Sequence, residues 1–237
     1  MLFRSAVDGD LPGLKTTLSA TLRLVFLLTV PAAVWLAVLA APVIALLYEH
    51  GRFGPLDTGR TAGALVMYCV GLPAFAAVGV LTRAFYALGD TRTPVRASFV
   101  AVALNLALNL LFIGPLRPLG LEHAGLALAT SAAAIANLLQ LTWYLRRRVG
   151  PLEGGRMLDT VWRVAVAAGL GGALCVVALR WLGDAGRGGL IVEAAVVAGG
   201  LLLASVAGYG AMKVLGVAEL ATVERLAGSL LRRLSGR

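Results

Sequence analysis

Six times along the chain, about twenty residues pass with almost no formal charge. Leu24–Tyr48, Thr61–Thr82, Ala97–Leu116 and Ala124–Leu145 contain no Asp, Glu, Lys or Arg. Thr160–Leu179 contains only Arg163 and Leu190–Met212 only Glu193, each near the start of its run. A helix of about twenty residues crosses about 30 Å of hydrocarbon. Inside that hydrocarbon, backbone N–H and C=O groups find no partner but each other. Six such runs predict six transmembrane helices in an all-α, polytopic membrane protein. The runs are continuous rather than alternating with period two, which excludes the strands of a membrane β-barrel. Of the 237 residues 14% are charged, against about 25% in a soluble domain, and mean hydropathy is +0.87. A soluble enzyme, a disordered chain and a disulfide scaffold are excluded together.

After the sixth run comes VAELATVERLAGSLLRRLSGR, with Leu220, Val223, Ala227, Leu230, Leu231 and Leu234 on one helical face. It is too charged to span and predicts an amphipathic helix lying in the membrane interface. Asp57 and Asp159 are placed to cap the second and fifth spans, and Thr93-Pro94 to start the third. Pro31, Pro42 and Pro73 lie within spans and predict kinks. The first residues, MLFRSAVDGDLPGLKTTLS, hold no apolar run followed by a small-residue cleavage site, so no signal peptide is expected.

The net charge is +9. On a soluble chain that would suggest nucleic acid; here no nucleic-acid partner is expected, and the distribution of the cations sets orientation. With six spans, both termini share one face. Sixteen of the 21 Lys and Arg fall there, among them Arg83, Arg92, Arg96, Arg146, Arg147, Arg148, Arg156 and Arg163, against Arg52, Arg60, Arg117, Arg180 and Arg187 opposite. The positive-inside rule puts both termini in the cytoplasm.

Polar residues inside spans each need a reason. Asn105 and Asn109 share a face of the third span, and the fourth holds Thr130, Ser131, Asn137 and Gln140. Asn105, Asn109 and Thr130 either line a polar cavity or help coordinate a cation through their oxygens, or bond helix to helix. Gly169, Gly171, Gly172, Gly199 and Gly200 suit close helix packing or a smooth groove for a lipid chain. Cys69 and Cys175 read as small core residues, and His50 and His123 as solvated interface positions. Arg52 and Arg60, on an outer loop, suit lipid headgroups or an anionic ligand. No GxSxG, HExxH, P-loop or dinucleotide fingerprint occurs, so the chain is not expected to be an enzyme or to hold a resident metal.

Four stretches go further: LLYEHGRFGPLDTGRTAGAL (46–65), YCVGLPAFAAVGVLTRAFYALGDTRTPVRASF (68–99), NLALNLLFIGPL (105–116) and AGLALATSAAAIANLLQLTWYLRRR (124–148). Together they resemble the C-terminal part of the MviN/MurJ family, lipid II flippases of the multidrug/oligosaccharidyl-lipid/polysaccharide exporter superfamily. The most specific piece is AFYALGDTRTPV, with Phe85, Tyr86, Asp90, Thr91, Thr93 and Pro94.

The resemblance implies a fourteen-helix fold of two six-helix lobes and two added helices, of which these six spans match the ninth to fourteenth. Residues 1–148 would then be part of the second lobe, 149–216 the two added helices with a groove for the lipid tail, and 217–237 the cytoplasmic tail. It implies alternating-access movement of lipid II across the bacterial cytoplasmic (inner) membrane for peptidoglycan synthesis, with sodium or the membrane potential as driving force. The partners would be membrane lipids, lipid II and a separately encoded N-terminal part, since the chain would begin after the eighth helix, as a fragment not competent alone or a mis-started gene product. Arg52, Arg60 and Arg83 become candidates for the headgroup cavity. Asn105, Asn109, Leu126 (through its carbonyl) and Thr130 match a sodium site of some members, with Asn109 where those carry Asp. Two other functions remain open, export of a different cargo within the superfamily and a non-transporting membrane scaffold.

Reporter fusions check the topology. A fusion in the turn at Asp90–Arg92 is expected to report the cytoplasm, and an extracytoplasmic signal there would remove the helix correspondence.

Overall fold

Prolines and short polar turns decide where these helices begin and end. The computed structural model describes residues 10–115, 122–152, 154–182 and 190–234. Arg4, Arg117, Arg187, Arg237 and Leu116, all used in the sequence reading, lie outside them, as do the side chains of Ala227, Leu230, Leu231, Arg232, Arg233 and Leu234.

Helix α1 runs Leu11–Val38, α2 Ala40–Tyr48, α3 Pro55–Ala87, α4 Arg92–Ile113, α5 Glu122–Val149, α6 Gly154–Leu182, α7 Leu190–Val214 and α8 Leu220–Leu234. Six of them are long and apolar enough to cross a membrane. The fold is all-α and multi-pass, with a separate terminal helix, as the apolar runs require.

The first run differs in an instructive way. It begins a helix at Leu11, where Asp10 Oδ1 accepts from the Gly13 amide at 2.9 Å, and the helix breaks at Leu39. Pro42 is the cause, since it lacks the N–H that would bond the Val38 carbonyl, and its ring crowds that oxygen. Pro31 and Pro73, by contrast, lie inside continuous helices. Helix α3 starts at Pro55, so Asp57 is inside its first turn and reaches back to accept from the Gly54 amide at 3.1 Å. Helix α6 starts at Gly154, five residues before Asp159. That carboxylate pairs instead with Arg163 one turn on, at 2.9 Å.

The packing order across the bundle is α4, α5, α3, α1, α6, α7. Leu18 and Leu22 of α1, Leu81 and Phe85 of α3, Ala97 of α4 and Leu141 and Leu145 of α5 form one buried cluster. A second joins α1, α6, α7 and the first turn of α8 through Leu27, Val164, Met212 and Leu220. Cys175 belongs to a third with Leu39 and Ala204. Cys69 is buried as well, and both thiols are free. Helix α4 is the outermost stave, with Phe99, Val102, Leu106 and Leu110 all more than half exposed, an apolar face suited to lipid.

Two glycines set the closest approaches. A Cβ on Gly71 of α3 would lie 2.7 Å from the Ser131 Cα of α5, and there Ser131 Oγ donates to the Met67 carbonyl at 2.6 Å. A Cβ on Gly171 of α6 would lie 2.5 Å from the Ala204 carbonyl of α7. Gly172 and Gly200 also face neighbours, whereas Gly169 and Gly199 have open space. The glycines of the last two spans thus divide into packing and surface positions.

Gly171→Leu is expected to destabilise the α6–α7 pair by about 1–3 kcal/mol, the usual cost of overpacking. Gly169→Leu is expected to be near neutral. Thermal unfolding of both variants in detergent checks the contrast.

Candidate functional site

Helices α4 and α5 are antiparallel neighbours that carry most of the polar side chains found at membrane depth. Their register sets Asn105 opposite Thr130. A directed file of hydrogen bonds crosses the seam. Asn109 Nδ2 donates to Asn105 Oδ1 at 2.6 Å, Asn105 Nδ2 to Thr130 Oγ1 at 3.3 Å, and Thr130 Oγ1 to the Leu126 carbonyl at 3.0 Å. The four residues matched to an ion site are therefore brought together. The bonds also join helix to helix, the second of the two roles read from the sequence.

These side chains line a cavity of about 430 Å³ that extends to Ser98 on α4 and to Phe75, Val78 and Asn137. Two acceptors in it, Asn109 Oδ1 and Asn137 Oδ1, are buried without a hydrogen-bond partner. A buried orphan acceptor is costly unless a donor or a cation reaches it. Asn137 lies two turns from Thr130 on the same face of α5. Its spacing is visible in the sequence, but its sharing a cavity with Asn109 depends on the antiparallel register. Asn105, Asn109, Thr130 and the Leu126 carbonyl offer only neutral oxygens, and among the described residues no three His, Cys, Asp or Glu side chains come together. That donor set fits a hard monovalent cation held weakly, by ligand-charge logic.

The arginine candidates do not form one site. Arg60, with Asp57, Tyr68 and His123, lines a separate cavity of about 430 Å³ at the opposite end of the bundle from the Asp90 turn. Arg52 is exposed in the adjoining turn. Arg83 is exposed near the far end of α3, 23 residues from Arg60, or about 35 Å along the helix.

The motif at Ala84–Val95 acts as a clamp. Phe85 is buried in the core and Tyr86 is exposed; Tyr86 and Pro94 line a small apolar recess between α3 and α4. Asp90 Oδ1 accepts from the Arg92 and Thr93 amides at 3.1 and 3.0 Å, and Oδ2 from Thr93 Oγ1 at 2.7 Å. Thr91, the N-cap residue, makes no side-chain cap itself. Arg148, at the end of α5, pairs with Asp90 and donates to the Leu88 carbonyl. One carboxylate thereby ties the ends of three helices. The Thr93 amide and hydroxyl, then the Arg148 charge, hold the Asp90 carboxyl below the usual carboxylate range. The sequence offered the motif but no sign that Arg148, 58 residues away, completes it.

Comparison with known proteins places this arrangement. The sequence profile of the family described as "Lipid II flippase MurJ" matches residues 2–192. A "Probable lipid II flippase MurJ" of Rhizobium tropici is 34% identical over 210 residues, 88% of this chain and 38% of that protein. A "Lipid II flippase MurJ" of Burkholderia cenocepacia is 30% identical over 218 residues, 91% of this chain and 41% of that protein. A solved structure, "Lipid II flippase MurJ, inward closed conformation", superposes with a TM-score of 0.63 at 22% identity, covering 86% of this chain and 40% of that one. The chain thus spans about two fifths of these proteins.

Loss of the clamp has a calculable effect. The depressed folded pKa means that Asp90 contributes its full stabilisation above the unfolded value of 3.8 and loses it as pH falls through the lower folded value. Asp90→Ala is expected to cost about 1 kcal/mol near neutrality, as for a lost helix cap. Thermal unfolding should show that difference shrinking as the pH is taken beneath the carboxylate range.

Proposed function

Because this chain belongs to the lipid II flippase MurJ family, matched along residues 2–192, we propose that it forms part of a lipid II flippase of the bacterial cytoplasmic membrane. It acts in transport rather than catalysis, and that family match is the observation that carries the reading. Both termini face the cytoplasm, in keeping with the sixteen-to-five distribution of cations. Alternating access needs two opposed halves, so the segment works with the helices that its relatives carry outside the matched region.

In that setting the α4–α5 seam forms part of the wall of the transport pathway, and the Arg60–His123 cavity offers a cationic contact to the pyrophosphate at the outer end. The apolar hollow between α6 and α7, lined by Leu179, Val196, Gly199, Gly200 and Leu203, suits the hydrocarbon tail. Asn105, Asn109, Thr130 and the Leu126 carbonyl would hold a sodium ion. When bound, that ion supplies positive charge at membrane depth. The residues of this chain keep α4 and α5 in register with or without it, through the hydrogen-bond file.

A chimera tests the reading. This segment replaces the matching region of the Vibrio cholerae "Probable lipid II flippase MurJ", to which the chain is 34% identical over 188 residues, in cells depleted of their own flippase. Growth is expected. Lysis despite normal membrane insertion would overturn the assignment. In the same chimera Asn109→Asp is expected to raise sodium affinity about tenfold or more by adding ligand charge, read as a leftward shift of sodium-stimulated transport.

A further inference from the structure

The last turns of α5 carry an exposed stripe. Ile135, Leu139, Trp143 and Arg147 follow one another at four-residue spacing, which sets them along one side of the helix, and all four are exposed. Leu141 and Leu145, on the opposite side, pack into the buried cluster with α1, α3 and α4. The stripe therefore points away from the bundle, and it is distinct from the α4–α5 seam and from the hollow between α6 and α7.

Its character changes along its length. Ile135 and Leu139 lie inside the uncharged run 124–145, Trp143 lies just before the end of that run, and Arg147 just past it. Eight residues separate Leu139 from Arg147, about 12 Å of helix, enough to pass from hydrocarbon into the headgroup layer. Trp is favoured at that boundary. Helical side chains lean toward the N-terminus, and Arg147 accordingly folds back over Trp143, with its guanidinium carbon 3.8 Å from the ring centroid. Tyr144 meets Trp143 edge-on, with centroids 4.9 Å apart. A guanidinium stacked on an aromatic face is held in place while its N–H edges stay available, and those edges match phosphate geometry. The neighbouring Arg148 is taken up by Asp90. Among the described residues no carboxylate or other acceptor meets Arg147, so its charge is uncompensated.

We propose that the end of α5 binds an anionic phospholipid of the arginine-rich leaflet, with the phosphate on the Arg147 guanidinium as seated by Trp143 and an acyl chain along Leu139 and Ile135. Basic residues just past a span on the arginine-rich side suit anionic headgroups. A soluble anion would use the arginine alone. The apolar residues continue from it in a straight line toward the hydrocarbon, as an acyl chain does, and this favours the lipid. The assignment is independent of any transport activity.

The full chain, purified in a neutral detergent, is titrated with phosphatidylglycerol, with phosphatidylcholine and with inorganic phosphate, and binding is read by native mass spectrometry. Phosphatidylglycerol is expected to bind more tightly than phosphatidylcholine. Arg147→Gln is expected to weaken phosphatidylglycerol about fivefold, the worth of one basic residue at an anionic surface. Trp143→Leu keeps the stripe apolar but removes the platform under the guanidinium, and should weaken it about threefold. Arg96→Gln removes an equal, exposed charge from α4 on the same side of the membrane and should leave the affinity nearly unchanged. Circular dichroism and thermal unfolding establish that each variant is folded. Equal binding of the two lipids, unaltered affinity in Arg147→Gln or Trp143→Leu, an equal loss in Arg96→Gln and Arg147→Gln, or displacement of the lipid by equimolar inorganic phosphate would each overturn the proposal.

Discussion

Hydrocarbon accepts no hydrogen bonds, and most of this molecule follows from that. Every backbone amide at membrane depth must be satisfied within its own helix or by a neighbour. Among the described residues helix follows helix, and several interruptions have an identifiable partner or cause. The break at Leu39 answers to Pro42. The carbonyl of Leu215, past the end of α7, receives the Arg163 guanidinium, and that of Leu88, past the end of α3, receives Arg148. Arginines that a sequence reading counts only as topological markers thus complete backbone groups where helices stop.

The spans, the separate terminal helix and the polar face of the third span were legible because each depends on a local pattern of about one helix length. Asn105, Asn109 and Thr130 were recognisable for the same reason. Helix starts were less legible. Leu11 and Gly154 begin helices well before hydrocarbon does, because a helix continues into the headgroup layer while its propensity and caps allow. Asp159 therefore became a partner of Arg163 instead of a cap. Pairings between distant segments were not legible at all. Arg148 with Asp90, Arg23 with Glu219 and Ser131 with the Met67 carbonyl depend on which helices become neighbours, and hydropathy does not encode that. The same limit applies to Arg52, Arg60 and Arg83. Alike in residue type, they are divided between two ends of the bundle by the length of α3.

The two halves of the bundle are built differently. Around α3 and α5 the contact is close, set by Gly71 against Ser131. Around α4 it is loose, with a mostly exposed apolar surface and one polar seam. The seam that carries the candidate ion ligands thus also helps attach the outermost helix, together with Ala97 in the core and the Asp90 clamp.

The direction of the hydrogen-bond file has a further consequence. A peptide carbonyl cannot donate, so Leu126 dictates that the Thr130 hydroxyl points toward it. Thr130 then presents lone pairs to Asn105, whose amide nitrogen must turn to meet them, and the Asn105 oxygen is left to face the nitrogen of Asn109. The last oxygen in the row is consequently bare and partially negative, and no single side-chain flip can invert it without breaking the file. A main-chain group on one helix thereby writes the electrostatic sign presented by the third side chain of the file, on another helix, and makes that end of the cavity inhospitable to anions.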